Sequence, residues 1–329
     1  MTEKNVVTAI RDALHDEMAA DERIVLLGED VGARGGVFRI SDGWMAEFGE
    51  HRVIDTPLAE SGIVGIAIGM ALHGLLPVAE IEFADFIHPA FDQIVSEAAR
   101  MRYRSNGDFG LPMVIRAPCG GGIHGALYHS QSIEAFYAHV PGLKVVMPAT
   151  PADAAGMIRS SLADPDPVLM LEHKKCYRAI KGEVPDGRYL TKIGAADVKR
   201  EGADLTAISY GYSLHGCLDA AARLEQDEGI SVEVVDVRTI SPLDKGTILD
   251  SVRKTGKAIV VYEDNRTYGV GAEIVATIAE EAMFDLDGPL VRVGGLDIPA
   301  MPFAAALEHY YMEPEPDQIY RAMRDLAHF

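Results

Sequence analysis

The stretch TPLAESGIVGIAIGMALHGLLPVAEIEFADF, residues 56–86, decides the fold. Its middle, 61–75, is nearly uncharged and reads as a helix, and Gly62, Gly65 and Gly69 keep that helix thin. A helix apolar on all sides is a buried one. Close packing is therefore expected around it, with Glu60 buried near its start. A glutamate at a helix start commonly serves the helix itself. Here Ser61 is placed to act as the cap, which leaves the Glu60 carboxylate for other work. The run 76–81 is mostly apolar rather than alternating, as in a parallel strand covered on both faces. Of the aromatics that follow, Phe83 and Phe91 read as core. Phe86 falls in the loop between strand and helix, where a ring face is available to a ligand.

The same alternation extends in both directions. Upstream, Val6, Val7, Ile10, Leu14 and Met18 form one stripe of an amphipathic helix, followed by a strand at 24–27. Downstream, strands are expected at 113–116, 143–147 and 168–171, with helices at 89–104 and 151–162. From about 176 to 201 the chain is polar, carries Gly and Pro and loses its periodicity, as a linker or crossover does. Strands then resume at 205–209, 231–235, 258–262 and 290–293, with helices at 213–225, 243–255, 271–283 and 316–326. The expectation is an α/β protein with domains at 1–180 and 201–329 joined by 181–200. A length of 329 residues also exceeds one ordinary core.

Composition narrows the function. The net charge of -20 repels a phosphate backbone and disfavours nucleic acid as a partner. No apolar run is long enough to span a membrane, and the acidic, amphipathic start lacks the features of a secretory signal. The three cysteines, Cys119, Cys176 and Cys217, have neither metal-ligand nor disulfide spacing. They fit a reducing cytoplasm and read as small buried hydrophobes.

A glycine-rich loop is the next candidate for chemistry. Gly120, Gly122 and Gly125 match the spacing of a dinucleotide fingerprint after a strand. No obvious helix follows, however, and no acidic residue sits about 20 positions on to hold a ribose. The loop continues through His124, Tyr128, His129, Ser130 and Gln131. Loops beyond the carboxyl ends of parallel strands are the usual place for sites. His124 reads as surface decoration, whereas the hydroxyl, amide and phenol groups around His129 favour function.

Five segments carry a resemblance. They are GEDVGARGGVFR (28–39), residues 56–86, HSQSIEAFYAHVPGLKVVMPATPADA (129–154), DPVLMLEHKKCYR (166–178) and DVRTISPLD (236–244). Together they cover nearly the whole chain in order, and they resemble the β subunits of the heterotetrameric, thiamine-diphosphate-dependent 2-oxo acid dehydrogenases. Branched-chain enzymes look most similar, then pyruvate, then acetoin. The fold implied is a pyrimidine-binding thiamine-diphosphate domain followed by a transketolase C-terminal-like α/β domain.

The resemblance implies oxidative decarboxylation of a 2-oxo acid with acyl transfer to a lipoyl domain, in an α2β2 heterotetramer that meets a lipoyl acyltransferase component. The cofactor is shared between subunits. Its Mg2+ is bound by a GDG…N motif that this sequence lacks, Gly107-Asp108-Phe109 being the nearest, so the α subunit is expected to supply it. That absence also counts against a self-sufficient transketolase-like transferase. Glu60 matches the glutamate that shares a proton with the aminopyrimidine, Phe86 the ring that stacks on it, and Leu58 a further cofactor contact. Phe86 stands where Tyr is usual, and His88 where Phe is frequent. His129 matches the histidine that moves a proton during reductive acylation, a task suited to a group whose ordinary pKa is about 6.5. A K+ site is implied at Val114, Ser161, Leu162, Asp164 and Asp166, with Asp166 in place of a frequent Asn. The acidic patch Glu280, Glu281, Asp285 and Asp287 is a candidate dock for a basic binding domain, or else a solvated helix face.

Overall fold

The computed structural model describes residues 1–312 and 316–329. They form two compact units, Met1–Cys119 with Phe136–Ile193, and Gly120–Ala135 with Gly194–Phe329. The glycine-rich loop thus belongs with the C-terminal part of the chain. Among the described residues, no helix is long and apolar enough to cross a membrane, and Cys119, Cys176 and Cys217 are buried and form no disulfide.

The first unit contains strands β1 (Thr2–Asn5), β2 (Ile24–Gly28), β3 (Val53–Asp55), β4 (Leu76–Glu80), β5 (Val114–Cys119), β6 (Lys144–Val146), β7 (Val168–His173) and β8 (Lys181–Val184). Six of them pair in the order β6-β7-β5-β4-β2-β3, every pair parallel. β1 and β8 pair separately and antiparallel, so the expected linker begins inside a strand. The helices are α1 (Val6–Ala20), α2 (Trp44–Phe48), α3 (Glu60–Leu72), α4 (Met101–Arg104), α5 (Glu134–Ala138), α6 (Pro151–Ala163) and α7 (Lys174–Ala179). Glu134 and Ala135 of α5 fall in the second unit. The Asn5 side chain caps α1 by accepting from the Thr8 amide at 2.9 Å. The α1 stripe Val6, Ile10, Leu14 and Met18 is buried, and α1 packs on α6.

Two local expectations are corrected. The segment expected as one helix at 89–104 is a 3-10 helix (Ala84–Ala90), a π-helix (Gln93–Ala98) and the short α4. Pro89 explains part of this, since it has no amide to donate inside a helix. Phe86 accordingly lies in a 3-10 turn and not in a loop. The apolar α3 is buried only on the side of Ile63, Val64, Ala67, Ile68 and Ala71. A methyl group on Gly69 would meet nothing within 4 Å, and those on Gly62 and Gly65 only ordinary contacts. The thinness of α3 is therefore not used by packing within this chain.

A buried ionic network crosses the middle of this sheet. Arg116 on β5 reaches Glu80 on β4 at 2.5 Å and grips Glu172 on β7 through two nitrogens, at 2.7 and 2.8 Å. The Tyr177 hydroxyl donates to Glu172 at 2.6 Å. Burial raises the Glu80 pKa even against the pull of Arg116, and it raises that of Tyr177 too, keeping the phenol a donor.

The second unit contains β9 (Asp197–Arg200), β10 (Leu205–Ser209), β11 (Val232–Asp236), β12 (Thr239–Ser241), β13 (Ala258–Asn265) and β14 (Val291–Gly295). Its sheet runs β14-β13-β10-β11-β9, parallel except for β9 against β11. β9 lies within the expected linker. The helices are α8 (Ser213–Glu228), α9 (Lys245–Thr255), α10 (Val270–Glu281), α11 (Ala305–Met312) and α12 (Pro316–Ala327), with α8 packed on α12.

Removing one member of a buried ion network strands the others without solvent, at a cost of about 3–5 kcal/mol. Arg116→Met is expected to lower the urea-unfolding stability of the chain by about that amount. An unchanged midpoint would show that Glu80 and Glu172 are not stranded by loss of the guanidinium.

Candidate active site

Glu60, Leu58 and Phe86 lie in the first unit, and His129 lies in the second. The two places are built differently.

In the first unit, Glu60 is the first residue of α3, just beyond β3. The helix is capped by Ala59 with no side-chain hydrogen bond, so Ser61 is not the cap. Glu60 is half-buried in this chain and not enclosed as the apolar helix suggested. Leu58, two residues before it, is 68% exposed, and Ile66, further along α3, is 53% exposed. α3 packs against the 3-10 helix that carries Phe86. The Phe86 ring stands edge-on to Phe83 at 5.9 Å, and His88, exposed, stands edge-on to Phe136 at 5.4 Å.

Glu82 is the group that sequence reasoning gave no role. It follows β4, and its pKa is pushed up to about 7, first by burial and then by Glu29, Asp30, Glu80 and Glu60. Glu29, just after β2, is raised by burial, Asp30 and Glu60. The carboxyl ends of β2 and β4 thus gather acidic groups around Glu60, where one of them holds a proton near neutral pH. The Glu-Ile-Glu spacing at the end of a buried strand was the available signal.

In the second unit, the loop after β5 is held by buried carboxylates. Glu263 accepts from the Gly121 amide and the Ser132 hydroxyl, each at 2.9 Å. Glu308 accepts from the amides of Gly122 at 3.1 Å and of His124 at 3.1 and 3.2 Å, and it pairs with the His124 ring. His124 is thus bound into the loop's anchor and is not surface decoration. The His129 Nδ1 lies 3.2 Å from the Gly125 carbonyl. Beneath the loop, the Tyr210 hydroxyl donates to Glu134 at 3.0 Å. Burial and nearby Asp264 push the Glu134 pKa well up, and burial pushes that of Asp264 up to about 6.

The transketolase pyrimidine binding domain family matches residues 2–179, and the transketolase C-terminal domain family matches 194–319. A 2-oxoisovalerate dehydrogenase subunit beta of Bacillus subtilis (strain 168) is 54% identical over 329 residues, covering 100% of both chains. The chain belongs to the 2-oxo acid dehydrogenase β-subunit family. A pyruvate dehydrogenase E1 component subunit beta of the same organism is 50% identical over 306 residues, 93% of this chain and 94% of the relative. A solved structure titled "Split gene transketolase, inactive beta4 tetramer" matches with a TM-score of 0.78 and 25% identity, covering 98% of each chain.

In this β subunit the head of α3 presents a half-buried carboxylate, Glu60, and the exposed apolar side chain of Leu58, and the half-buried Phe86 ring stands on the 3-10 helix that packs against α3. At the expected potassium stretch, Asp164 accepts from Lys144 at 2.5 Å and Asp166 pairs with Arg102 at 2.7 Å. The Ser161 hydroxyl donates to the Met157 carbonyl at 2.8 Å, and Val114 and Leu162 are buried apolar residues. A cation there would rely on backbone carbonyls. Among the described residues no group of three or more His, Cys, Asp or Glu side chains is arranged for a metal. Of the acidic patch, Glu281 pairs with Lys245 at 3.6 Å and Asp285 with Arg253 at 3.4 Å.

The raised Glu82 pKa has a stability consequence with a definite sign. Between the ordinary 4.5 and about 7, the folded chain keeps a proton that the unfolded chain has released. Raising the pH through that window therefore favours unfolding. Glu82→Gln is expected to flatten this decline when denaturant midpoints of the chain are compared at the two ends of the window. An equally steep decline in the variant would remove Glu82 as its source.

Proposed function

We propose that this chain is the β subunit of a decarboxylating 2-oxo acid dehydrogenase that takes branched-chain 2-oxo acids and passes the acyl group to the lipoyl group of an acyltransferase component. The observation that carries the reading is the open surface of α3, where Glu60 at its head is only half-buried and the apolar side chains of Leu58 and Ile66 are exposed. A chain built to hold the cofactor alone would cover that surface. We assign the covering to an α subunit in an α2β2 assembly, which also supplies the Mg2+ and diphosphate contacts, because the sequence has no GDG motif. The preference for branched-chain substrates rests on the full-length likeness to a 2-oxoisovalerate dehydrogenase subunit; pyruvate is the second choice. Buried cysteines that form no disulfide suit a reducing cytoplasm.

Thiamine diphosphate, when bound, supplies the electron sink for decarboxylation. The chain's own residues bind and tune it. Glu60 exchanges a proton with a ring nitrogen. Phe86 and Leu58 fix the plane of the ring and exclude water from it. His129 moves a proton during transfer to the lipoyl group. Any K+ bound near 161–166 would brace the turn after α6 without touching the reaction.

Titrating thiamine diphosphate and Mg2+ calorimetrically into the β chain, then into the β chain mixed with its α subunit, tests the half-site. Binding in the mixture alone is expected; tight binding by the β chain overturns the reading. In the assembled enzyme, Glu60→Gln should lower turnover by on the order of 100-fold or more, the usual effect of losing a proton-transfer group. Preference for pyruvate in a substrate panel would displace the branched-chain assignment.

A further inference from the structure

We propose that Glu308 is a positioning residue for His129, holding it through Ser130 and Gly125 from a helix nearly 180 residues further along the chain. The inference rests on the assignment of His129 to proton transfer. His129 stands on a segment with little regular structure, a single 3-10 turn at Ala126–Tyr128 whose residues are not buried. The backbone leading to it is strained. Gly120 and Gly122 have φ of 76° and 87°, which glycine tolerates, but His124 and Ala126 sit at 57° and 56°. A left-handed conformation in a non-glycine residue costs about 1–3 kcal/mol and persists only where the surroundings enforce it.

Glu308 supplies that enforcement. It is 1% exposed, and the amides of Gly122 and His124 converge on its carboxylate. Alternating backbone conformations that aim successive amides at one point make an anion-binding nest. Here the anion is the protein's own side chain. The connection then runs towards the imidazole. Ser130 Oγ donates to Glu308 at 3.3 Å and accepts the Gly125 amide at 3.2 Å. The carbonyl of the same Gly125 lies 3.2 Å from His129 Nδ1. A proton on Nδ1 is favoured by that carbonyl, which leaves the Nε2 lone pair for the reaction. Gly125 is also sterically fixed, since a methyl group there would come within 2.4 Å of the His129 Cβ. One hydroxyl therefore ties a buried carboxylate to the residue whose carbonyl orients the ring, using one donor and one acceptor site.

The test uses the α2β2 enzyme and separates two half-reactions, decarboxylation read with an artificial electron acceptor and acylation of a free lipoyl domain. Misplacing a reacting group by about 1 Å costs on the order of 100-fold. Glu308→Gln, close in shape, is expected to slow lipoyl acylation by about 10- to 100-fold at unchanged KM for the 2-oxo acid, leaving dye-linked decarboxylation intact. Ser130→Ala, which spares the carboxylate, should share this signature, and Glu308→Gln should add little to His129→Ala. In the β chain alone, hydrogen exchange at the Gly122 and His124 amides should quicken in Glu308→Gln. If His129→Ala leaves acylation intact, the assignment of His129 fails. If His129→Ala abolishes acylation while Glu308→Gln and Ser130→Ala do not alter it, the positioning role fails. Equal losses in both half-reactions would mark Glu308 as merely structural and overturn the proposal too.

Discussion

Arg116 is the constraint from which the first unit is organised. A guanidinium in the middle of a parallel sheet would be prohibitively desolvated without partners, and here it has two carboxylates and, through Glu172, a phenol. The planar fork of arginine fits Glu172 with two bonds and Glu80 with a third, a geometry that lysine cannot reproduce. Because β4, β5 and β7 each contribute a member, a shift in the register of any one of them would leave a buried charge unmatched. Removing any one member is costly whatever the intact network contributes net, because the remaining charges are buried. The loops that leave β4 and β5 start from strand ends fixed in this way.

Charge is handled in opposite ways at two further places. Around Glu60, acidic groups gather, and burial first, then the neighbouring carboxylates, raises the affinity of Glu82 and Glu29 for protons. In the loop after β5, Glu263 and Glu308 are satisfied by backbone amides. The first arrangement keeps protons exchangeable near neutral pH. The second spends its carboxylates on shape and holds the backbone in conformations it would otherwise leave.

The alternation of apolar strands and helices was legible because the central strands β2, β5, β7, β10 and β11 are buried along their whole length and α1 is buried along one stripe. The stripe from Val6 to Met18, the short runs of β2 and β7, and the two-block organisation all follow from that. Periodicity could not distinguish a continuous helix from the 3-10, π and α pieces between Ala84 and Arg104, since all bury similar residues at similar spacing. Nor could it say that α3, apolar all round, is bare on one side, because apolar sequence reports what a surface requires and not which chain provides it. At the loop, the glycines and His129 stood out in sequence. Their anchors did not: Glu263 and Glu308 lie far downstream in segments that carry no motif, and the role of His124 depends wholly on Glu308.

The path of the chain between the two units bears on how such a protein can be divided or recombined. It passes from the first unit to the second at 119–120, returns at 135–136, and leaves again at 193–194. A cut near residue 193, which the sequence suggests as a natural seam, would separate the glycine-rich loop from the carboxylates that shape it. Exchange of C-terminal segments between relatives carries the same penalty, because the receiving loop must meet acceptors matched to its amides. The loop and its two carboxylate acceptors therefore have to be exchanged together, although they lie far apart in the sequence.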